Sequence, residues 1–189
     1  MTGGLLEVDL AGEDFAMRVA RFDLRPLDDT DAGDLFAHFS DPTVVEFMDI
    51  DPLVEVAEAH AIIAWAKTLR ERAQGLRWTI REAASGRFVG TCGFNLLIFD
   101  RGRRGEVAYD LGRDWWGQGV MAQLMPAMIA FAFDRLGVHR IEAMVTPGNE
   151  RSCRLLERHG FSREGVLRGY GYWKGAFWDQ IVYARIASA

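Results

Sequence analysis

The sequence predicts one α/β (α+β) domain, a central mixed sheet with helices on both faces. Three observations lead there. The chain has 189 residues, 49% of them apolar, enough for a single domain with a real core. Its elements read as a strand, two helices, three consecutive strands, then alternating helix and strand, the order of a layered mixed fold. A glycine pair, Gly117 and Gly119, stands between a strand pattern and a long apolar run over 120–133, where a helix must open.

Taken in order, residues 1–20 are set apart as an N-terminal extension and 21–189 as the domain. Within the extension, LLEVDL (5–10) reads equally as a short strand or a mobile arm. Residues 21–27 (RFDLRPL) alternate and are stopped by Pro26, a first strand. Residues 28–40 carry acids at the head, then Leu35, Phe36 and Phe39, a short amphipathic helix that Asp41-Pro42 breaks. Residues 52–73 form a second helix, with Val56, Ile62, Ile63, Trp65 and Leu69 near helical spacing. RWTIRE (77–82) and residues 87–99 are strands joined at Ala84-Ser85-Gly86. The basic turn DRGRRG (100–105) leads into a third strand from Glu106, completing an antiparallel meander.

A long helix follows over 117–136, capped by Gly137; Pro126 removes one hydrogen bond and should kink or shorten it. Residues 140–146 are a strand ended by Pro147-Gly148, and 149–159 a helix stopped by Gly160. Residues 161–167 are a strand, 169–178 (GYGYWKGAFW) a glycine- and aromatic-rich loop, and 179–186 the last strand. The strand–helix–strand unit over 106–146 should set its two strands parallel.

Composition excludes several classes. With 27 acidic and 22 basic residues the net charge is -5, which gives no nucleic-acid footprint. Two cysteines without a CxxC, and four histidines without HxxxH or HExxH spacing, argue against a disulfide framework and against a metal site. The first residues carry acids and lack a basic start with an apolar core, so no signal peptide is expected. The longest apolar run is short of a bilayer span and holds Pro126, so a cytoplasmic protein off the membrane is expected.

Two helix starts carry the chemistry. At 116–121 the glycines let the backbone approach a ligand, and the free N–H groups of a helix start suit a phosphate or pyrophosphate. A triphosphatase loop would need Gly-Lys followed by Ser or Thr, and a dinucleotide fold a third glycine near Gln123; neither is present. A glycine-opened helix start without a ligand is the alternative. The second start is Asn149 to Ser152. Asn149 is a natural N-cap, and Ser152 lies three residues on, at the same end of the helix; taken alone, the pair reads as a cap and an incidental polar residue. Both starts follow strands that the topology makes neighbours, so both open on one edge of the sheet.

The ordered set GEVAYDL, WWGQGVM, NERSCRLLERHGF, EGVLRG and FWDQIVYA resembles the GNAT superfamily of acyl-CoA N-acyltransferases, on the RimJ/RimL branch of ribosomal-protein N-terminal acetyltransferases. The resemblance covers roughly residues 20–186. It implies a mostly antiparallel, twisted sheet. It implies acetyl-CoA, or another short acyl-CoA, as cosubstrate, no metal, and an amine acceptor, either a protein N-terminus or a small amine. A homodimer is left open. On the resemblance, Val107, Tyr109 and Leu111 lie on the strand whose backbone pairs with the pantetheine arm. Trp116, Gly117, Gln118, Gly119, Val120 and Met121 form the loop that holds the pyrophosphate. Asn149 contacts the pantetheine region, Ser152 lies near the sulfur, and Glu106 stands where family members often accept the amine proton, directly or through a water chain, the alternative being a solvated strand carboxylate beside the basic turn.

Two positions depart from the branch. Met121 replaces a small residue, with consequences expected for packing at the adenosine end, and Gln123 replaces a Glu. The expected activity is direct transfer of an acetyl group to a protein α-amine in a ternary complex. A small-amine transferase (antibiotic, polyamine or amino acid) shares the fold, and a non-catalytic acyl-CoA sensor is the reading from another class.

Overall fold

The computed structural model describes Leu10 and residues 15–187. Eight strands form one sheet: β1 Met17–Val19, β2 Phe22–Pro26, β3 Leu76–Glu82, β4 Phe88–Ile98, β5 Arg104–Leu111, β6 Arg140–Val145, β7 Ser162–Trp173 and β8 Ala176–Ile186, in the order β1-β2-β3-β4-β5-β6-β8-β7. Every neighbouring pair is antiparallel except β5 and β6, which are parallel as the crossover between them requires. The helices are α1 Ala32–Phe39, α2 Val56–Glu71, α3 Val120–Ala130 and α4 Glu150–Arg158.

Strand alternation divides the sheet into two unlike faces. On one face, Leu76, Trp78 and Ile80 of β3, Val107 of β5 and Ile141, Ala143 and Val145 of β6 join Val120, Leu124, Met125 and Met128 of α3 and Leu156 of α4 in a single apolar core. Trp78 is its centre, with T-shaped contacts to Phe94 (6.2 Å) and Phe131 (5.1 Å). Truncating such a residue to alanine costs about 3–5 kcal/mol. The other face carries Arg77, Thr79 and Thr91, all buried, with α1 and α2 packed over it around Leu35, Phe39, Ala59 and Ile63. Helices therefore cover both faces, and one face has a polar floor.

Several expectations need correction. The residues 28–40 helix opens with a 3₁₀ turn, Asp29–Asp31, before α1. The expected strand over 5–10 lies, apart from Leu10, outside the described residues, whereas Leu10, Phe15 and β1 pack on the domain. The regular part of α3 ends at Ala130, short of the expected 136. A π-helical turn, Phe131–Arg135, follows, and Gly137 closes it in the left-handed region. Residues 169–178 are not a loop. They are the ends of β7 and β8, joined by the two-residue turn Lys174-Gly175 with φ 50° and 74°. Two positive φ values make the tight turn whose twist matches its strands. Cross-strand aromatic pairs, Tyr172 with Phe177 at 5.0 Å and Trp173 stacked on Trp178 at 6.1 Å, hold the hairpin closed.

Candidate active site

The site is built on the two edges of β5. One edge is stitched to β4 along its length, from Gly90↔Leu111 to Ile98↔Arg104, around a bulge at Asn95. The other pairs with β6 only at Arg104↔Arg140, Gly105↔Ile141 and Glu106↔Glu142. Beyond Glu106 the two strands part. Residues 107–111 thus present a free edge into a wedge, and α3 and α4 begin near its mouth, each after the strand that forms one wall.

The loop from β5 into α3 folds back on itself. The Trp116 indole donates to the Leu111 carbonyl at 2.7 Å, and the Arg151 guanidinium lies 4.7 Å from the Trp116 ring centre. Gly117 and Gly119 hold φ 73° and 68°, which only glycine adopts without strain, and a Cβ at either would meet nothing within 4 Å. The loop's own hydrogen bonds use the Trp116 amide, to Arg113 O, and the Gln123 amide, to Gly119 O. Among the described residues, the backbone amides of 117–122 have no protein acceptor. A row of bare donors at a helix N-terminus facing open space fits a diphosphate group.

The side chains here do other work. Gln118 donates to Asp114 O at 2.5 Å and accepts from Arg21 at 3.4 Å, stapling the loop. Val120 and Met121 are buried in the apolar core. The bulk of Met121 is taken up inside the protein. Gln123 donates from Nε2 to Gly119 O at 3.2 Å, a bond that a carboxylate could not make.

At the second helix start, the Asn149 side chain accepts from the Ser152 amide at 3.2 Å, as an N-cap should. Ser152 Oγ lies 2.7 Å from the Tyr109 hydroxyl. The resemblance implies a role for the Tyr109 backbone; its side chain reaches across the wedge to α4. Burial pushes the phenol's pKa well up, against the hydrogen bond with Ser152.

Glu106 points to the opposite face, toward α1 and α2, since Val107 and Tyr109 pack on the apolar core. Burial raises its pKa first, and the neighbouring Glu142 and Asp49 raise it further, with Arg104 opposing. Sequence spacing gave no hint of Asp49, which sits in the α1–α2 connection. That connection is pinned at 45–47. Thr146 Oγ1 donates to Phe47 O at 2.9 Å, and Lys174 on the β7–β8 turn donates to Val45 O at 2.5 Å. The basic turn is partly paired: Arg104 lies 3.6 Å from Glu142, and Arg103 donates to Gly137 O at 3.4 Å.

Further along the same face of β5, Asp110 is the hub of a buried network that sequence reading missed. His38 Nε2 donates to it at 2.7 Å, Thr91 N at 3.0 Å, Thr91 Oγ1 at 2.6 Å and Arg77 Nη2 at 3.2 Å. Burial alone would raise this carboxyl. The His38 bond and charge, the Arg77 charge and Thr91 outweigh it and hold the pKa below the ordinary range. No cluster of three or more metal-ligating side chains occurs among the described residues, nor does any helix there have the length and apolarity to cross a membrane.

Comparison with known proteins shows the family. Residues 21–162 match the acetyltransferase (GNAT) domain. The chain is 36% identical to the uncharacterized N-acetyltransferase p20 of Bacillus licheniformis over 164 residues, covering 87% of this chain and 92% of that one. It is 30% identical over 96 residues to the [ribosomal protein uS5]-alanine N-acetyltransferase of Escherichia coli, covering 51% and 50% of the two chains. Among solved structures, RimJ of Mycobacterium smegmatis in complex with CoA-disulfide superposes with a TM-score of 0.80 at 22% identity, covering 92% of this chain and 87% of that one. At that identity the likeness is one of fold. Domain match and relatives together make the chain an acyltransferase enzyme belonging to the GNAT acetyltransferase family.

Proposed function

We propose that this enzyme moves an acetyl group from acetyl-CoA to a protein N-terminal α-amine, by direct attack while both substrates are bound. The observation that carries the donor half is the run of uncommitted amides over 117–122, set at the mouth of the wedge beside the free edge of β5. In this reading Gly117, Gly119 and their neighbours hold the diphosphate, residues 107–111 pair with the pantetheine arm, and Asn149 lies along that arm.

The chemistry needs few parts. The amine must be neutral to attack, and an α-amine near 7.7–8.0 reaches that form far more readily than a lysine near 10.4. Glu106 receives its proton. A raised carboxyl pKa makes a stronger base once ionised, and Glu142 and Asp49 surround the arriving ammonium with negative charge. A β5 backbone N–H near Val107 or Tyr109 stabilises the developing oxyanion, and Ser152 faces the departing sulfur. The three carboxylates favour a cationic acceptor, which an N-terminal ammonium satisfies.

The test is thiol release from acetyl-CoA with a panel of N-terminal peptides and small amines. Turnover with unblocked peptides, abolished by N-terminal blocking, is the expected result. Reaction with small amines alone would overturn the acceptor assignment. Coenzyme A binding without turnover on any acceptor would leave a sensor instead of an enzyme.

A further inference from the structure

We propose that Tyr109 is a positioning residue that turns the Ser152 hydroxyl hydrogen toward the departing sulfur. The inference rests on the acetyl-transfer reading above and deepens it. It follows from counting hydrogens. Tyr109 Oη and Ser152 Oγ lie 2.7 Å apart, and each carries one hydrogen. They share one bond, so one hydrogen is left over. The helix does not take it up: the Gly148 carbonyl accepts from the Glu150 amide at 2.9 Å and the Asn149 carbonyl from the Cys153 amide at 3.2 Å, and among the described residues neither accepts from the Ser152 hydroxyl. Neither hydroxyl has any other hydrogen-bond partner among the described residues.

Which hydrogen is spare is decided by acidity. A phenol is the better donor and an aliphatic hydroxyl the better acceptor, so Tyr109 donates and Ser152 accepts. The Ser152 hydrogen then points away from Tyr109, with no acceptor in the protein. Asn149 holds the Ser152 backbone through its amide at 3.2 Å, so the residue is fixed at its main chain as well as at its hydroxyl.

No proton passes along the pair. As the amine nitrogen bonds to the thioester carbon, the carbon–sulfur bond breaks and its electron pair goes to sulfur. Glu106 takes the amine proton. The Ser152 hydrogen bonds to the thiolate without leaving oxygen, and Tyr109 keeps its own, because a buried phenolate would cost more than the thiolate it relieved. The thiolate is protonated by water on release. Tyr109 therefore matters in proportion to the charge that builds on the leaving atom.

The test compares the wild type with Tyr109→Phe, which removes one oxygen, on acetyl-CoA and on the acetyl selenoester of the same carrier, whose selenolate needs less stabilisation. On the thioester, kcat should fall roughly three- to tenfold, the worth of the one neutral hydrogen bond that orients Ser152, with KM for the donor held within about twofold. On the selenoester the loss should shrink to less than about twofold. Ser152→Ala should show the same contrast, which guards against a folding defect in either variant. An equal loss on both donors, or wild-type rates for Tyr109→Phe on the thioester, overturns the proposal. Absence of transfer to any amine by the wild type would instead sink the acetyl-transfer reading itself, and this inference with it.

Discussion

Glu106 and Asp110 sit four residues apart on one strand, on one face, yet their carboxyls are driven in opposite directions. Burial raises both. Asp110 meets His38, Arg77 and Thr91, four hydrogen bonds with two cationic or polarisable partners, and ends below the ordinary range. Glu106 meets Glu142 and Asp49, with Arg104 in weak opposition, and ends above it. The difference separates groups whose bonding is complete from groups left with capacity to spare. Complete groups hold the strand in place. Spare ones, which include the amides of 117–122, are where a substrate can be bound.

The largest expected effect breaks the complete end. Asp110→Ala strips partners from Arg77, His38 and Thr91 inside the protein, and removing one member of a buried ion pair costs about 3–5 kcal/mol. The midpoint of chemical denaturation should drop accordingly. A loss below about 1 kcal/mol would mean the network is hydrated and the contrast with Glu106 is false. The two carboxyls also pull stability in opposite directions with pH. The folded pKa of Asp110 lies below its unfolded value of about 3.9, so its contribution is present above that pH and drains away as pH falls through the folded value. Glu106 binds its proton more tightly folded than unfolded. Its penalty is absent below about 4.3 and grows as pH rises through the raised value.

Next comes the spare carboxyl. Glu106→Gln should lower kcat/KM by about a hundredfold, or ~2.7 kcal/mol in the transition state, while leaving coenzyme A affinity unchanged. The wild-type rate should rise with an acid limb centred above the usual carboxylate range, and the variant should lack that limb. Its stability at neutral pH should match or exceed the wild type, since the ionisation penalty is gone. An unchanged pH–rate profile would remove Glu106 as base.

A third variant probes the bare amides. Gly119→Val forces a β-branched residue to φ 68°, a backbone cost of roughly 1–2 kcal/mol, and places its side chain in the open space beside those donors. Acetyl-CoA binding, measured by calorimetry on folded protein, should weaken about tenfold or more beyond what the lost stability accounts for. Wild-type affinity would show that the amides are not the phosphate seat.

How much of this was legible in the sequence follows the same division. The meander, the parallel β5–β6 pair and both helix starts were readable, because apolar period, Gly-Pro punctuation and cap residues act locally. The β7–β8 hairpin was missed because Lys-Gly is a weaker turn signal than Asn-Gly, though aromatics flanking it on both sides pointed to cross-strand pairs. At the candidate site, the helix start at Gly117 and Gly119 and the Asn149 cap were readable through spacing, and Ser152 only through the family resemblance. Asp49, Glu142 and the hydroxyl of Tyr109 were not, since each gains its meaning from a partner on another element. His38 and Asp110 are 72 residues apart, beyond the reach of any periodicity.

The smallest effect expected lies where the two kinds of group touch. Gln123 is committed, through its Nε2 bond to Gly119 O, yet it stands in the first turn of α3 beside the uncommitted amides. Gln123→Glu replaces the donor with a second acceptor and so loses that bond, worth about 0.5–1.5 kcal/mol. It also places a negative charge at a helix N-terminus, worth about 0.3–1 kcal/mol in the other direction. The two nearly cancel, and the thermal midpoint should move by no more than a degree or two. Coenzyme A binding should weaken a few-fold through repulsion of the diphosphate, and the deficit should close as salt is raised, because an exposed charge is screened. A deficit that persists at high salt would mean instead that the lost bond had been holding the Gly119 turn in shape, and Gln123 would then belong with Asp110 among the groups that only hold the scaffold.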